Sequence, residues 1–90
     1  MKYAPVLSDK AMKRLDRLDR KAEQRIRARF EELAGNPEDP SISNKLETMP
    51  GKRYSRVGDW RIIYEVREAE KILYIVTVQH RSKVYRDLLR

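Results

Sequence analysis

The chain has 90 residues, with 21 Lys and Arg against 14 Asp and Glu, so its formal net charge is +7. That length makes one small domain, 1–90, with no room for a separate nucleotide-binding unit, and a chain this size buries only about 60–65% of its unfolded surface. With no Cys and a single His, at position 80, disulfides, thiol nucleophiles and Cys-ligated metals are excluded, and no metal site is expected. No apolar run approaches the ~20 residues a membrane span needs, and the N-terminus lacks the apolar stretch of a signal peptide. A basic, cytoplasmic domain away from the membrane is the expectation.

Tyr3 to Leu7 reads as a short strand that Pro5 confines to a sheet edge. Ser8 and Asp9 offer helix caps, and Ala11, Met12, Leu15 and Leu18 share one face of a helix over about 9–18. Asp19 caps a second helix, in which Ala22, Ile26, Phe30, Leu33 and Ala34 recur at spacings of three and four. Gly35 is the expected left-handed cap, and Pro37 forbids continuation. Asn36 to Asn44 is rich in Pro, Asp and Ser and reads as a loop.

The second half is strand-like. Lys52 to Val57 alternates around Tyr54, Gly58-Asp59 is a two-residue hairpin turn, and Trp60 to Arg67 forms the next strand. Glu68 to Lys71 turns the chain again into Ile72 to His80, the most apolar segment and the expected central strand. Val84 to Leu89 is predicted to form a short C-terminal helix. The result is an α+β domain in which an N-terminal strand and a helical hairpin pack on a small, mostly antiparallel sheet. The first strand reaches the sheet through helices, so a parallel pairing suits it.

Charge is uneven. Residues 1–44 hold ten basic and eight acidic side chains, and residues 45–90 hold eleven and six, so most of the excess lies in the second half. The interspersed charges of the helical hairpin read as a solvated surface, whereas the second half presents a field toward an anionic partner. No Ser-His-Asp arrangement, phosphate-cradling Gly loop or paired carboxylate stands out. Any active site therefore draws on Arg, Lys, Tyr and His80. That set suits RNA cleavage by the substrate's own 2′-hydroxyl, where the protein supplies positioning, charge stabilisation and proton transfer. Arg grips phosphate oxygens but is a poor base. Proton transfer is left to Tyr85, a Lys or His80, and Tyr85 or Trp60 offers a ring for an unpaired base. Strand alternation points Arg61 away from Trp60, Ile62 and Tyr64, and sets Arg53 and Arg56 on opposite faces of their strand. Trp60, Tyr64 and Tyr74 read as packing residues.

Four stretches occur in order: LSDKAMKRLDRL, LAGNP, KLETMPGKRYSRVGDWRIIYEV and VQHRSKVY. Together they resemble the RelE/ParE superfamily of small toxins from type II toxin–antitoxin pairs. The resemblance implies the α+β fold already read and splits in function. RelE-like members cleave mRNA at the ribosome without metal or cofactor, and ParE-like members inhibit DNA gyrase. In this chain Arg61, Arg81 and Tyr85 match the RelE-like catalytic positions. Lys52 and His80 are further candidates for the catalytic set. Lys45, Arg53, Arg56 and Lys83 are the matching candidates for RNA and phosphate binding. RelE nucleases carry two Lys at alternate positions of the strand before Arg61, where this chain has Lys52 and then Tyr54. The implied partners are an acidic, RelB-like antitoxin, the ribosome and mRNA. The toxin alone would be a monomer and would form a hetero-oligomer with its antitoxin. A gyrase inhibitor and a non-toxic antitoxin-binding homologue are the alternatives.

Overall fold

The computed structural model describes residues 2–82. The expected C-terminal helix, with Lys83 and Tyr85, lies outside the described residues. Strand β1 (Ala4–Leu7) leads into helices α1 (Asp9–Asp16) and α2 (Arg20–Gly35). Strands β2 (Asn44–Lys45), β3 (Arg53–Val57), β4 (Trp60–Arg67) and β5 (Ile72–His80) follow. The five strands form one sheet in the order β1-β5-β4-β3-β2. As expected, β1 pairs in parallel with β5, and the other pairings are antiparallel.

Local chemistry explains the boundaries. The Ser8 hydroxyl accepts the amide of Ala11 at 3.0 Å and donates to the Val76 carbonyl at 2.6 Å, so one side chain caps α1 and pins it to β5. The Asp19 carboxylate caps α2 by accepting the Ala22 amide at 2.7 Å. The end of α2 differs from the sequence reading. Gly35 does not adopt a left-handed conformation; Asn36 leaves the helix at φ −155°, its amide still bonded to Glu32, and Pro37 ends the run. At the edge strand, the Ala4 amide donates to the Lys71 carbonyl just before β5 and the Ser8 amide to the Ile75 carbonyl within it, which turns position 5 outward. Pro5 therefore removes no ladder bond and blunts the free edge.

The β3–β4 hairpin closes at Gly58-Asp59, flanked by the Val57–Trp60 pair. Gly58 has φ +59° and Asp59 does not share the positive φ, the pattern of a type II′ turn, which takes Gly first. The second turn, Glu68–Glu70, ends on Lys71 in the left-handed region. A bulge shifts the β4–β5 register between Ile63, opposite Thr77, and Tyr64, opposite Ile75. It explains why Ile75 and Val78, three residues apart, both reach the core.

One face of the sheet packs on the helices. Ala11 and Leu15 of α1 and Ile26, Phe30 and Leu33 of α2 meet Val57, Ile62, Tyr64, Leu73, Ile75 and Val78 of the strands. Trp60 packs at the rim of this core, as expected of it. The opposite face carries Tyr54, Arg56, Arg61, Ile63 and Thr77. No described helix is long and apolar enough to cross a membrane.

Candidate functional site

The two-residue hairpin dictates what meets on the sheet face away from the helices, where Ile63 and Thr77 are buried, Tyr54 and Arg61 half-buried and Arg56 exposed. It sets Arg56 directly opposite Arg61, and Tyr54 opposite Ile63. Strand alternation then puts Tyr54, Arg56 and Arg61 on one surface. The Arg61 guanidinium lies over the Tyr54 ring, 4.3 Å from its centroid, and the Arg56 guanidinium stands 6.0 Å from the same ring. Like charges directly opposed across strands repel. The electron-rich ring offsets part of that repulsion, and a bound anion would offset more. Neither Arg has a carboxylate partner among the described residues. A cleft of about 430 Å³ opens beside them, lined by Asn44, Lys45, Leu46, Glu47, Thr48, Tyr54 and Arg61. Lys45 lines this cleft from the sheet edge, but β2 pairs it with Arg53 and not with Tyr54, so strand parity sets it apart from the face that carries Arg56 and Arg61.

Behind it, Arg29 of α2 fixes the strand. Its Nη1 donates to the Ser55 hydroxyl and to the Arg56 carbonyl, both at 2.8 Å. The Arg56 backbone is therefore held from the helical layer while its side chain faces out.

The other candidates stand elsewhere. Lys52 approaches the same face, but its ammonium is 3.0 Å from Glu65, which also pairs with Arg67 at 2.9 Å. These cations, Lys52 foremost, hold the Glu65 carboxyl below the usual range. Arg53 points to the helical side, where its Nε donates to the Ser43 hydroxyl at 2.7 Å. Ser43 in turn bonds to the Tyr64 hydroxyl, which donates to the Pro37 carbonyl at 2.6 Å. This relay satisfies a fully buried phenol, and burial pushes the Tyr64 phenol above its ordinary range against the pull of Ser43 and Arg53. Arg53 thus secures the 37–43 loop to the sheet.

His80 also lies on the helical side. Its ring meets Trp60 edge to face at 5.1 Å, and its Nδ1 is 3.0 Å from the Ser82 hydroxyl. It borders a second groove, of about 410 Å³, with Asp19, Lys21, Arg25 and Asp59. The sheet separates His80 from Arg61. The Arg81 amide donates to the Asp59 carbonyl at 2.7 Å, which brings the end of β5 against the β3–β4 turn. Tyr85 and Lys83 are outside the described residues. Among the described residues, no three His, Asp or Glu side chains are grouped to hold a metal ion.

The structure thus gathers Arg56 and Arg61, with Lys45 at the edge of the adjoining cleft, and sets Arg53 and His80 apart from them. It adds Tyr54, which the sequence reading did not name as a site residue. The signal was present: a two-residue turn after Val57 sets the 56–61 and 54–63 pairs, and period two puts Tyr54 beside both Arg. As an arrangement, the cleft end of this face offers an aromatic ring flanked by two Arg without carboxylate partners among the described residues, suited to a phosphodiester and its neighbouring base.

Residues 6–85 match the family described as "ParE toxin of type II toxin-antitoxin system, parDE". No curated protein matches the chain. Among solved structures, a doubly substituted Escherichia coli RelE toxin in complex with an antitoxin RelBc peptide superposes with a TM-score of 0.79 at 20% identity, over 100% of this chain and 97% of that one. The archaeal RelE–RelB complex from Pyrococcus horikoshii OT3 gives 0.78 at 24% identity, over 92% and 99%. The intact Escherichia coli RelBE complex gives 0.76 at 19% identity, over 87% and 95%. At these identities the likeness concerns the fold.

Proposed function

Because the chain belongs to the ParE toxin family of type II toxin–antitoxin systems, we propose that it is the toxin of such a pair and acts by cleaving mRNA on the ribosome. The observation that carries this reading is the sheet face away from the helices, where Arg56 and Arg61 stand opposed around Tyr54, beside a cleft that Lys45 also lines. In the proposed reaction the 2′-hydroxyl of a nucleotide attacks its own 3′-phosphate. The P–O bond to the 5′-oxygen of the next nucleotide breaks. One product ends in a 2′,3′-cyclic phosphate and the other begins with a 5′-hydroxyl. A proton leaves the attacking hydroxyl and another reaches the departing oxygen. Arg61 and Arg56 stabilise the charge that builds on the non-bridging oxygens. Lys52 is tied to Glu65 and His80 faces the helices, so we assign proton transfer or base stacking to Tyr85 and further phosphate contact to Arg81, with Lys45 and Lys83 adding charge. The reaction uses no metal or cofactor. The partner in the resting cell is an acidic RelB-like antitoxin, in keeping with the RelE–RelB complexes that share this fold. Its negative charge complements this surface. Both the complex and the target lie in the cytoplasm.

One observation favours a second reading, inhibition of DNA gyrase without nuclease activity: the matching family is described by its ParE member. Induction in cells separates the two. We expect growth arrest with new mRNA 5′ ends at ribosomal A-site positions by primer extension and unchanged plasmid supercoiling, and we expect Arg81→Ala combined with Tyr85→Ala to abolish both arrest and cuts. Intact mRNA with loss of supercoiling would establish the gyrase reading instead. Toxicity retained in the double variant would remove Arg81 and Tyr85 from the mechanism.

A further inference from the structure

We infer that Tyr54 is a positioning residue for Arg61, holding its guanidinium on the ring face so that its N–H edge is presented to phosphate. The inference rests on the RNA-cleaving reading and adds a residue to it. Arg61 sits mid-sheet, opposite another Arg, and without an ion-pair partner among the described residues. A long side chain so placed has several rotamers and a neighbour that repels it. What constrains it is the ring: the guanidinium carbon lies over Tyr54, 4.3 Å from the centroid, within cation–π contact. Such contact occupies the face of the guanidinium and leaves its in-plane N–H donors open, and these are the donors that fork onto two phosphate oxygens. The ring lines the same cleft as Arg61 and Lys45, so the held Arg faces the space a substrate would enter. The contact needs a flat π-system and not the phenol oxygen. The role is therefore distinct from acid–base chemistry.

The test compares Tyr54→Phe and Tyr54→Leu with wild type, each first checked for an unchanged thermal midpoint. Leu keeps apolar bulk opposite Ile63 but removes the π-face. On ribosomes programmed with a defined mRNA, Tyr54→Leu should lower kcat about tenfold with KM changed less than about threefold, and Tyr54→Phe should restore kcat to within about threefold of wild type. In the free protein, the Arg61 side-chain proton resonances should carry an upfield ring-current shift in wild type and Tyr54→Phe that disappears in Tyr54→Leu. Loss of activity in Tyr54→Phe equal to that in Tyr54→Leu would overturn the inference in favour of a role for the hydroxyl. Unshifted Arg61 resonances in wild type would overturn it outright. If wild type cuts no mRNA, the nuclease reading falls, and the resonance shift alone then decides whether Tyr54 holds Arg61.

Discussion

Replacing Tyr64 with Phe removes one oxygen from the centre of the structure. Tyr64 is fully buried. Its hydroxyl donates to the Pro37 carbonyl at 2.6 Å and meets the Ser43 hydroxyl at 2.5 Å, and Ser43 also receives Arg53. Phe keeps the ring and its packing, so no cavity term of consequence arises. What is lost is two hydrogen bonds, with the Pro37 carbonyl left without its phenol donor. Removing one partner of a buried hydrogen bond costs about 1–3 kcal/mol, and we take about 2 kcal/mol here. In a domain of this size each kcal/mol moves the thermal midpoint by about 4–8 °C, so a fall of about 8–16 °C is expected. Urea unfolding followed by circular dichroism should show a lower midpoint with an unchanged slope. The relay also implies coupling: Tyr64→Phe and Ser43→Ala should be non-additive by at least about 0.5 kcal/mol. A Tyr64→Phe variant within about 0.5 kcal/mol of wild type, on the order of an ordinary surface change, would refute the view that this relay holds the 37–43 loop to the sheet.

Three further outcomes are expected. The Thr77 hydroxyl is buried without a hydrogen-bond partner among the described residues, so Thr77→Val, which keeps the shape and the strand preference, should raise stability by about 1 kcal/mol in urea unfolding. Asp19→Ala removes the cap of α2 and should cost about 1 kcal/mol by the same measurement. Glu65 is held below the usual carboxyl range chiefly by Lys52, and Glu68 chiefly by Lys71. A depressed folded-state pKa gives stability that is complete above the unfolded-state value and lost as pH falls through the folded one. The urea midpoint should therefore fall on acidification below the ordinary glutamate range, and Glu65→Gln should flatten part of that slope.

Much of the architecture was legible in the sequence because it rests on local chemistry. Ser8, Asp19 and Pro37 mark helix ends, the period of Ile26, Phe30 and Leu33 marks the buried face of α2, and Gly58-Asp59 fixes a hairpin whose register follows by counting. Features that depend on the tertiary surroundings were not. The two residues of β2 are too few to carry a pattern and lie next to a Pro- and Ser-rich loop. The bulge at Ile63 and Tyr64 shows only as Ile75 and Val78 both packing inward, against strict alternation. Gly35 offered a left-handed cap that the chain does not use, since Pro37 alone suffices to end the helix. At the candidate site, residue type identified the chemistry, and sheet parity decided who meets whom. Arg56 and Arg61 meet around Tyr54, whereas Arg53, one position from Tyr54, faces the helices and bonds to Ser43. His80 is opposite Trp60 in register and so shares Trp60's face, away from Arg61. Lys52 shares the right face, but Glu65 across the strand pair claims its charge.

The most direct test of the central claim is cleavage by purified protein on ribosomes carrying a defined mRNA, with the fragment ends identified. The account predicts cuts in the A-site codon with 2′,3′-cyclic phosphate and 5′-hydroxyl ends, and a rate reduced about 100-fold or more in Arg61→Ala. Uncut mRNA with wild-type protein, or cleavage undiminished in Arg61→Ala, would contradict it.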